Sequence, residues 1–346
     1  MTALDTNLAG AQRVKQTRAE HAEQFLEFVW NDCDVLELRV LSSAGCTHSG
    51  LFTNLKAAAK ESERIARKDN NIYFTLNPVR RTSDYFRSME RKGLINRIHR
   101  HRSTLKQTAG DADMDRRTLF LIDCDPEREK GKAATDAQKK AASAVADNVE
   151  AYLLSLGWPM PLRADSGNGI HLYFRGNGQF EFTDWRTALK VLAQKFNTAD
   201  AKVDTSVFNP ARISRLPGSM NRKASAPTPD RPHRACRVLK YPDTWIAVTD
   251  EQVNALATEA SEFPDAGRRM HNLPHTSDSS FMGSVAIGEQ DVLDFIEEYA
   301  DILHLGRITP KDEVTYFELL ECPFAGRAHL GQGAGAGKTA LLYIRA

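Results

Sequence analysis

An apolar strand that ends in two carboxylates is the feature that most constrains the fold of this chain. Residues 118–122 read Thr-Leu-Phe-Leu-Ile, a run typical of a strand buried on both faces. Asp123 and Asp125 follow it directly. Since residues i and i+2 of a strand face the same side, the two carboxylates can share Mg²⁺ or Mn²⁺. The alternative is a solvated turn, because Asp-Pro is common in turns, and the pair alone does not decide between the two.

Helices and strands alternate around this strand, which predicts an α/β (or α+β) fold. The helical patterns cover residues 19–30, 51–67, 135–156, 185–196, 251–260 and 291–300. The strand patterns cover residues 35–41, 72–76, 118–122, 170–174, 237–240 and 314–320, and Val203 to Leu216 is predicted to contain a hairpin-like segment.

Length and cysteine content limit the class of protein further. A chain of 346 residues suggests two or three domains. Five widely spaced cysteines argue against a disulfide scaffold and for a reducing compartment. The N-terminal residues lack the pattern of a secretory signal, and no stretch approaches the roughly 18 apolar residues of a membrane span. We therefore expect a cytoplasmic protein with no membrane partner.

A glycine-rich turn before a second strand offers a phosphate site. Ser166, Gly167, Asn168 and Gly169 precede the strand that carries His171. Backbone N–H groups at such glycines can approach an anion, and the serine hydroxyl adds a donor. The alternative is an ordinary type I′ hairpin turn, since Asn-Gly is the favoured pair for it.

A third carboxylate and a group of cations follow in the next segment. Asp204 comes after a predicted helix, and Arg212 and Arg215 offer planar guanidinium groups suited to phosphate oxygens. Surface arginines often have no specific role, so this segment alone is a weak signal.

The charge balance hides a strongly basic stretch. The chain has 46 Lys and Arg residues against 45 Asp and Glu residues, which by itself argues against a nucleic-acid partner. Nine cations against two anions, however, lie between Arg80 and Lys106. Such a stretch can follow template phosphates or form a solvated helix face, and its density favours DNA. The DNA-binding candidates are Arg80, Arg81, Arg87, Arg91, Arg97 and Arg100.

Together the three motifs resemble those of the archaeo-eukaryotic primase superfamily, especially the primase-polymerases of phages, plasmids and mobile elements. The order is an apolar strand ending in Asp-x-Asp, a Ser-Gly…Gly-x-His motif, and Val-Asp followed by Arg-Leu-Pro-Gly-Ser. In this chain they are Leu121 to Asp125, Ser166 to His171, and Val203-Asp204 with Arg215 to Ser219. The resemblance covers roughly residues 20–245, and all three motifs occur in order.

This resemblance implies a role for each matching residue. Asp123, Asp125 and Asp204 would hold two divalent ions, Mg²⁺ or Mn²⁺, and carry catalysis. The incoming nucleotide would be bound by the turn, the histidine and the downstream polar residues: Ser166, Gly167, Gly169, His171, Arg212, Arg215, Ser219 and Lys223. The activity would be that of a DNA primase or DNA polymerase acting on a single-stranded template or primer-template with NTPs or dNTPs, with a fused or separate helicase as a further partner.

The resemblance also implies a domain plan. Residues 1–18 would be an extension, and 19–248 a two-lobed catalytic domain (lobes about 19–110 and 111–248) with an RNA-recognition-like (RRM-like) module. Residues 249–346 would be a linker and a small, mostly helical accessory region. There Cys322 and His329 could form half of a zinc site, and we expect a truncated module without metal.

Two other functions remain open from the sequence. A replication initiator without catalysis could use the same fold to bind DNA, although it has no need of a carboxylate triad that repels phosphate. A metal-dependent phosphodiesterase or nuclease fits the carboxylates equally well, but Arg215 to Ser219 and Ser166 to His171 favour triphosphate binding.

Overall fold

The computed structural model describes residues 17–30, 34–41, 47–66, 70–100, 108–129, 131–178, 182–223, 226–262, 305–311, 314–319 and 340–345. The chain divides into two units, Met1–Asn272 and Leu273–Ala346, which are treated separately below.

The described part of the first unit contains helices and short strands in a mixed order. The helices are α1 Arg18–Val29, α2 Leu55–Ala66, α3 Asp84–Arg91, α4 Asp136–Ser155, α5 Phe182–Phe196 and α6 Asp250–Thr258, with 3₁₀ turns at Asp111–Asp113 and Glu259–Glu262. The strands are β1 Leu36–Leu41, β2 Thr47–Phe52, β3 Asn71–Thr75, β4 His99–Arg100, β5 Leu119–Pro126, β6 Leu162–Asp165, β7 Ile170–Arg175, β8 Ala201–Val203, β9 Ile213–Arg215, β10 Met220–Asn221, β11 Arg234–Ala235 and β12 Arg237–Lys240.

These strands form two five-stranded sheets and a small ribbon. The first sheet has the order β4-β2-β1-β3-β9, the second has the order β12-β6-β7-β5-β8, and β10 pairs with β11. All strand pairs in both large sheets are antiparallel. The expected mixture of helices and strands is confirmed, and the antiparallel pairing makes the fold α+β. The RRM-like module stays a prediction.

The strands after residue 200 depart from the sequence prediction. The expected hairpin between Val203 and Leu216 is absent, because β8 pairs with β5 in the second sheet while β9 pairs with β3 in the first. The chain therefore crosses from one sheet to the other there. The range predicted as the second lobe, 111–248, thus supplies one strand of the first sheet.

Helix boundaries follow local capping chemistry. Thr135 caps α4 by accepting a hydrogen bond from the amide of Gln138, and Gly157 ends the turn after the helix with a φ of +78°. Helix α2 begins later than the predicted residue 51, because Asn54 Oδ1 accepts from the amide of Ala57 and caps the helix there. Strand β2 occupies the residues up to Phe52 instead.

The main hydrophobic core joins the two sheets. Phe25 of α1 packs against Phe74 of the first sheet at 5.1 Å between ring centroids and against Tyr173 of the second at 5.7 Å. On the second sheet, Trp185 of α5 packs on Phe120 at 4.5 Å. Helix α1 thus lies at the junction of the sheets, and burial of these rings stabilises their arrangement.

The described residues of the second unit are all in strands. They form β13 Leu305–Lys311, β14 Val314–Leu319 and β15 Ala340–Arg345, an antiparallel sheet in that order. The strand predicted at 314–320 is confirmed, whereas the expectation of a mostly helical region does not hold for these described ranges, whose β-branched and aromatic residues favour strands. The helix predicted at 291–300, Cys322 and His329 lie outside the described residues. No helix in the described part of the chain is long and apolar enough to cross a membrane.

Candidate active site

The three motif segments meet at one cleft between the two sheets. The cleft has a volume of about 150 Å³. Its lining includes these residues singled out from the sequence: Asp123, Asp125, Ser166, His171, Asp204, Arg212, Arg215 and Lys223. Strand β5 and the neighbouring β7 provide one wall, and β3 and β9 provide the other. The cleft therefore brings together side chains as far apart in sequence as Tyr73 and Lys223.

Asp123 is paired with the histidine of the adjacent strand. The two residues lie opposite each other in the register of β5 and β7, and Nε2 of His171 is 3.4 Å from Oδ1 of Asp123. That buried oxygen has no hydrogen bond within the described residues. Burial raises the pKa of Asp123, but His171, Lys223 and Arg128 outweigh it and hold the pKa below its usual value. Asp123 is therefore ionised at neutral pH.

Asp125 lies in a less favourable electrostatic environment. Burial, together with the charge of Asp123, raises the pKa of Asp125 to about 6. Nη2 of Arg128 lies 3.0 Å from Oδ2 of Asp125 and partly offsets this effect. Two neighbouring carboxylates of this kind favour a bound cation because it removes their mutual repulsion.

The third carboxylate continues the same sheet. The amide of Asp204 donates to the carbonyl of Asp123 at 2.8 Å, and its side chain accepts from the amide of Ser206 at 2.8 Å. Asp204 therefore lines the cleft beside the other two. In the described ranges, no three His, Cys, Asp or Glu side chains come close enough together to hold a metal ion. The oxygen donors of Asp123 and Asp125 fit a hard divalent cation by type, and the unpartnered oxygen of Asp123 supports that fit.

The Ser166–Gly169 turn is closed by its own hydrogen bonds. The hydroxyl oxygen of Ser166 accepts from the amide of Gly169 at 2.9 Å, while the amide of Ser166 donates to the carbonyl of Gly169. Asn221 holds the turn from outside by donating to the carbonyl of Ser166 at 2.8 Å. Because the serine oxygen accepts internally, its hydrogen remains available to a ligand in the cleft.

Both glycines of this turn are needed for packing. Gly167 has a φ of +93°, and a Cβ on it would lie 2.7 Å from Cβ of Asn221. A Cβ on Gly169 would lie 2.3 Å from the carbonyl oxygen of Cys124 and 2.7 Å from Oδ1 of Asp125. The turn thus lies directly against the strand that carries the carboxylates.

Arg215 is rigidly oriented on the opposite wall. Its Nη1 donates to Oδ1 of Asn71 at 2.8 Å, and its Nη2 donates to the hydroxyl of Tyr73 at 2.7 Å. The guanidinium also lies 4.7 Å from the centroid of the Tyr73 ring. A guanidinium held in this way loses little conformational entropy when it binds a phosphate.

Arg212 and Lys223 add positive charge to the same cleft. Arg212 donates to Oδ1 of Asn209 and to the carbonyl of Ser206. Burial lowers the pKa of Arg212, while Asp204 and Asp123 act in the opposite direction. Lys223 is exposed.

Ser219 lies outside the lining of this cleft. Its hydroxyl donates to the carbonyl of Leu216 at 2.6 Å, and it is not among the described residues that line the cleft. The nucleotide contact at Ser219 therefore stays a prediction that this geometry does not support.

Other residues that the sequence did not indicate as site residues also line the cleft, among them Arg128, Asn168 and Asn221. Arg128 follows Asp125 by three residues, and this spacing is the signal that could have identified it. Asn168 was seen only as part of the turn. Asn221 carried no local signal, because its contact with Ser166 joins segments 55 residues apart.

The described part of the basic stretch, residues 80–100, lies on a different surface. Helix α3 and the adjoining segments pack on a second core cluster that includes Tyr85, Phe86 and Met89. Arg81, Arg87 and Arg91 are exposed there. Arg80 donates to the carbonyl of Met114, and Arg97 donates to the carbonyl of Gly93. The backbone of Arg100 lies in β4. None of the six DNA-binding candidates is among the described residues that line the cleft.

Three solved structures show a limited likeness to the chain. The AEP domain of the cyanophage S-2L primase-polymerase aligns with a TM-score of 0.40 and 13% identity, over 68% of this chain and 96% of that chain. The catalytic domain of primase RepB′ in complex with initiator DNA aligns with a TM-score of 0.41 and 12% identity, over 74% and 100%. The polymerase domain of Mycobacterium tuberculosis ligase D in complex with DNA aligns with a TM-score of 0.35 and 14% identity, over 73% and 96%.

No protein-family model matches the chain, and no curated protein does. At TM-scores below 0.5, the structural likenesses assign neither an activity nor a substrate to this chain. The functional argument therefore depends on the residues of the cleft.

Proposed function

We propose that this chain is a template-directed nucleotidyltransferase, a DNA primase or DNA polymerase of the archaeo-eukaryotic primase type. The observation that carries the proposal is the meeting of three motif segments at one cleft. Carboxylates occupy one wall, and a serine, a histidine and three arginines lie beside or opposite them. A site for a metal-bound nucleoside triphosphate needs both kinds of group within reach of one ligand.

The side chains of the cleft would have different roles in nucleotide transfer, according to their charge. Ser166 and His171 would donate hydrogen bonds to phosphate oxygens, and Arg212, Arg215 and Lys223 would neutralise the triphosphate. A primer 3′-hydroxyl, or the hydroxyl of a first nucleotide, would attack the α-phosphate in line and release pyrophosphate. The rigid hold on Arg215 by Asn71 and Tyr73 supplies the positioning that such a reaction requires.

Mg²⁺ or Mn²⁺ is the cofactor that these oxygens would hold. Asp123 and Asp125 would be its principal ligands, with Asp204 beside them, and the bound cation would stabilise negative charge on the reacting oxygens. Burial and the charge of Asp123 raise the pKa of Asp125 to about 6, and a bound cation would offset this repulsion.

The proposed partners are a single-stranded template or primer-template and NTPs or dNTPs, with a fused or separate helicase. The exposed arginines near α3 would bind the template backbone, since phosphate contacts of this kind need no sequence recognition. This surface and the cleft both belong to the first unit.

A primer-extension assay tests the proposal directly. The full chain is incubated with a primed template, labelled nucleotides and Mg²⁺ or Mn²⁺. We expect extension by the wild type and a loss of at least about 100-fold in Asp123→Asn and Asp204→Asn, with unchanged melting temperatures. Asp147→Asn, which changes an exposed carboxylate on α4, is the matched control and should keep full activity.

Two outcomes would contradict this assignment. Undiminished synthesis by Asp123→Asn would show that the carboxylates are not catalytic. Shortening of the labelled primer in place of extension would indicate a metal-dependent phosphodiesterase.

A further inference from the structure

A hydrogen-bonded triangle of His171, Tyr173 and Ser214 joins the two sheets beside the cleft. Nδ1 of His171 lies 2.9 Å from the Tyr173 hydroxyl oxygen and 3.2 Å from the Ser214 hydroxyl oxygen. The two hydroxyl oxygens are 2.7 Å apart. His171 and Tyr173 belong to β7 of the second sheet, and Ser214 belongs to β9 of the first. All three residues are at least nine-tenths buried.

The hydrogens available in this triangle determine the tautomer of His171. Tyr173 and Ser214 bring one hydroxyl hydrogen each, and no other hydrogen-bond partner for either hydroxyl occurs within the described residues. If Nδ1 accepts, one hydroxyl donates to Nδ1 and the other donates to the first hydroxyl, so both hydrogens have acceptors. If Nδ1 carries a hydrogen, one hydroxyl hydrogen is left without an acceptor in a buried site, which is costly.

With Nδ1 as the acceptor, the ring hydrogen lies on Nε2, the atom on the opposite side of the ring. That nitrogen lies 3.4 Å from Oδ1 of Asp123, and both residues line the cleft. The other tautomer would present a lone pair toward a carboxylate and toward any phosphate bound there, which would be repulsive. The buried triangle thus determines what the cleft presents to an anion.

We infer that Tyr173 and Ser214 are positioning residues that keep the hydrogen of His171 on Nε2, so that this atom offers a hydrogen-bond donor to a phosphate oxygen of a nucleoside triphosphate. The inference rests on the proposed function for the identity of the ligand. Ser214 also precedes Arg215 on β9, so the same contact sets the two phosphate-binding side chains relative to each other across the sheets.

The tautomer is tested on the full chain without nucleotide. Histidine labelled with ¹⁵N is observed in long-range ¹H–¹⁵N spectra at one pH, and His171→Ala identifies the signals of that residue among the ten histidines. We expect the Nε2–H pattern in the wild type and a mixture of tautomers in the Tyr173→Phe/Ser214→Ala double variant. An Nδ1–H pattern or a mixture in the wild type overturns the inference.

Binding of ATP and dATP in the presence of Mg²⁺ tests the consequence for the ligand. Either hydroxyl alone can donate to Nδ1, so each single variant should weaken binding by no more than about threefold, and the double variant by about tenfold or more. In a His171→Ala background, the same two substitutions should change the affinity for ATP and dATP by less than about twofold. An equal loss in both backgrounds would assign Tyr173 and Ser214 a merely structural role and overturn the inference.

Matched controls separate these effects from loss of the fold. Tyr152→Phe and Ser62→Ala remove hydroxyl groups outside the cleft and should leave binding unchanged. Tyr173→Phe keeps the ring that packs on Phe25 and Phe74, and melting temperatures report on folding. If His171→Ala does not fold, His171→Asn replaces it. Absence of triphosphate binding by the wild type refutes the proposed function, while the spectra still decide the role of the triangle.

Discussion

Gly169 shows how closely the phosphate turn and the carboxylate strand are packed. Its backbone is not in the left-handed region, so only space decides which residue fits there. A methyl group would meet the carbonyl oxygen of Cys124 and Oδ1 of Asp125, and the first of these is backbone that cannot move without disturbing β5.

Gly169→Ala is therefore expected to lower the free energy of unfolding by about 2 kcal/mol, the range typical of overpacking, and to reduce nucleotide incorporation at the same time. Chemical denaturation and primer extension measure the two effects. Gly110→Ala is the control, because a Cβ there meets only Asp113 at 3.8 Å. Equal stability of the two variants would contradict the close packing.

The sequence motifs predicted cleft residues well where a strand end determines the direction of a side chain. Asp123, Asp125 and His171 follow the alternation of β5 and β7. Asn221 reaches the cleft from β10, whose place depends on tertiary contacts, so local patterns could not place it, whereas the spacing from Asp125 could have identified Arg128. Ser219 is near Arg215 in sequence, but its hydroxyl donates within its own turn and it does not line the cleft.

Strand β1 carries a buried charged group on the face opposite its apolar residues. Leu36, Leu38 and Val40 enter the main core, and Glu37 alternates with them. Glu37 accepts hydrogen bonds from Tyr85, from the amide of Ala109 and from Arg39. Burial nevertheless raises the pKa of Glu37 above its usual value, and these partners only partly reverse the effect.

This raised pKa gives stability a definite pH dependence. The folded state binds the proton of Glu37 more tightly than the unfolded chain, so protonation stabilises the folded state as the pH falls toward the usual glutamate range. The free energy of unfolding of the wild type, relative to Glu37→Gln, is expected to rise between pH 7 and pH 5 in denaturation experiments. Relative to Glu61→Gln, the free energy of unfolding of the wild type should instead fall as the pH is lowered, over a lower pH range. The reason is that the hydrogen bond from Arg64 lowers the pKa of Glu61. A difference for Glu37 that does not vary with pH would be inconsistent with its burial as a charged group.

Helix α3 presents its cations to solvent and its apolar residues to the second core cluster. Arg87 and Arg91 are exposed, whereas Tyr85, Phe86 and Met89 are buried. The sequence showed the density of charge but did not predict this helix, because a helix of eight residues is too short for its hydrophobic periodicity to be recognised.

The double variant Arg87→Gln/Arg91→Gln is expected to weaken single-stranded DNA binding and to reduce the slope of log affinity against log salt by about 1.4, the value for two lost phosphate contacts. Fluorescence anisotropy at several salt concentrations measures both. The control Lys56→Gln/Lys60→Gln removes two cations from exposed positions of α2. An equal slope for the two double variants would mean that α3 adds only to the overall positive charge and makes no phosphate contacts of its own.

Elements with a clear hydrophobic period were predictable, and those fixed by distant partners were not. Strand β5 and helix α4 carry their own signals, an apolar run and a capped amphipathic stretch. Strand β9 has three residues and exists because β3 offers a pairing edge, so the local sequence suggested a hairpin instead. In the second unit, the sequence pattern predicts β14, but the pairing of β14 with β13 and β15 into a sheet depends on contacts that no local pattern specifies.

At the scale of the whole molecule, the first unit contains every described residue on which the proposed site depends. Both five-stranded sheets, the core that joins them and the cleft lie within Met1–Asn272. Helix α6 and the following 3₁₀ turn pack against α5, and Tyr152 donates to Glu259, so the segment after residue 249 completes this unit. The predicted domain boundary near residue 248 would therefore remove part of the folded unit.

A fragment of residues 1–272 is expected to unfold cooperatively, with a melting temperature within about 3 °C of the full chain, because its buried core is complete. It should bind ATP with the affinity of the full chain. A fragment of residues 1–248 should melt at least about 5 °C lower, since it loses the buried Val253 and Leu256 of α6. Calorimetry and nucleotide titration compare the three proteins. Equal melting temperatures for the two fragments would show that α6 does not belong to the cooperative unit, and loss of ATP binding in 1–272 alone would place part of the site beyond residue 272.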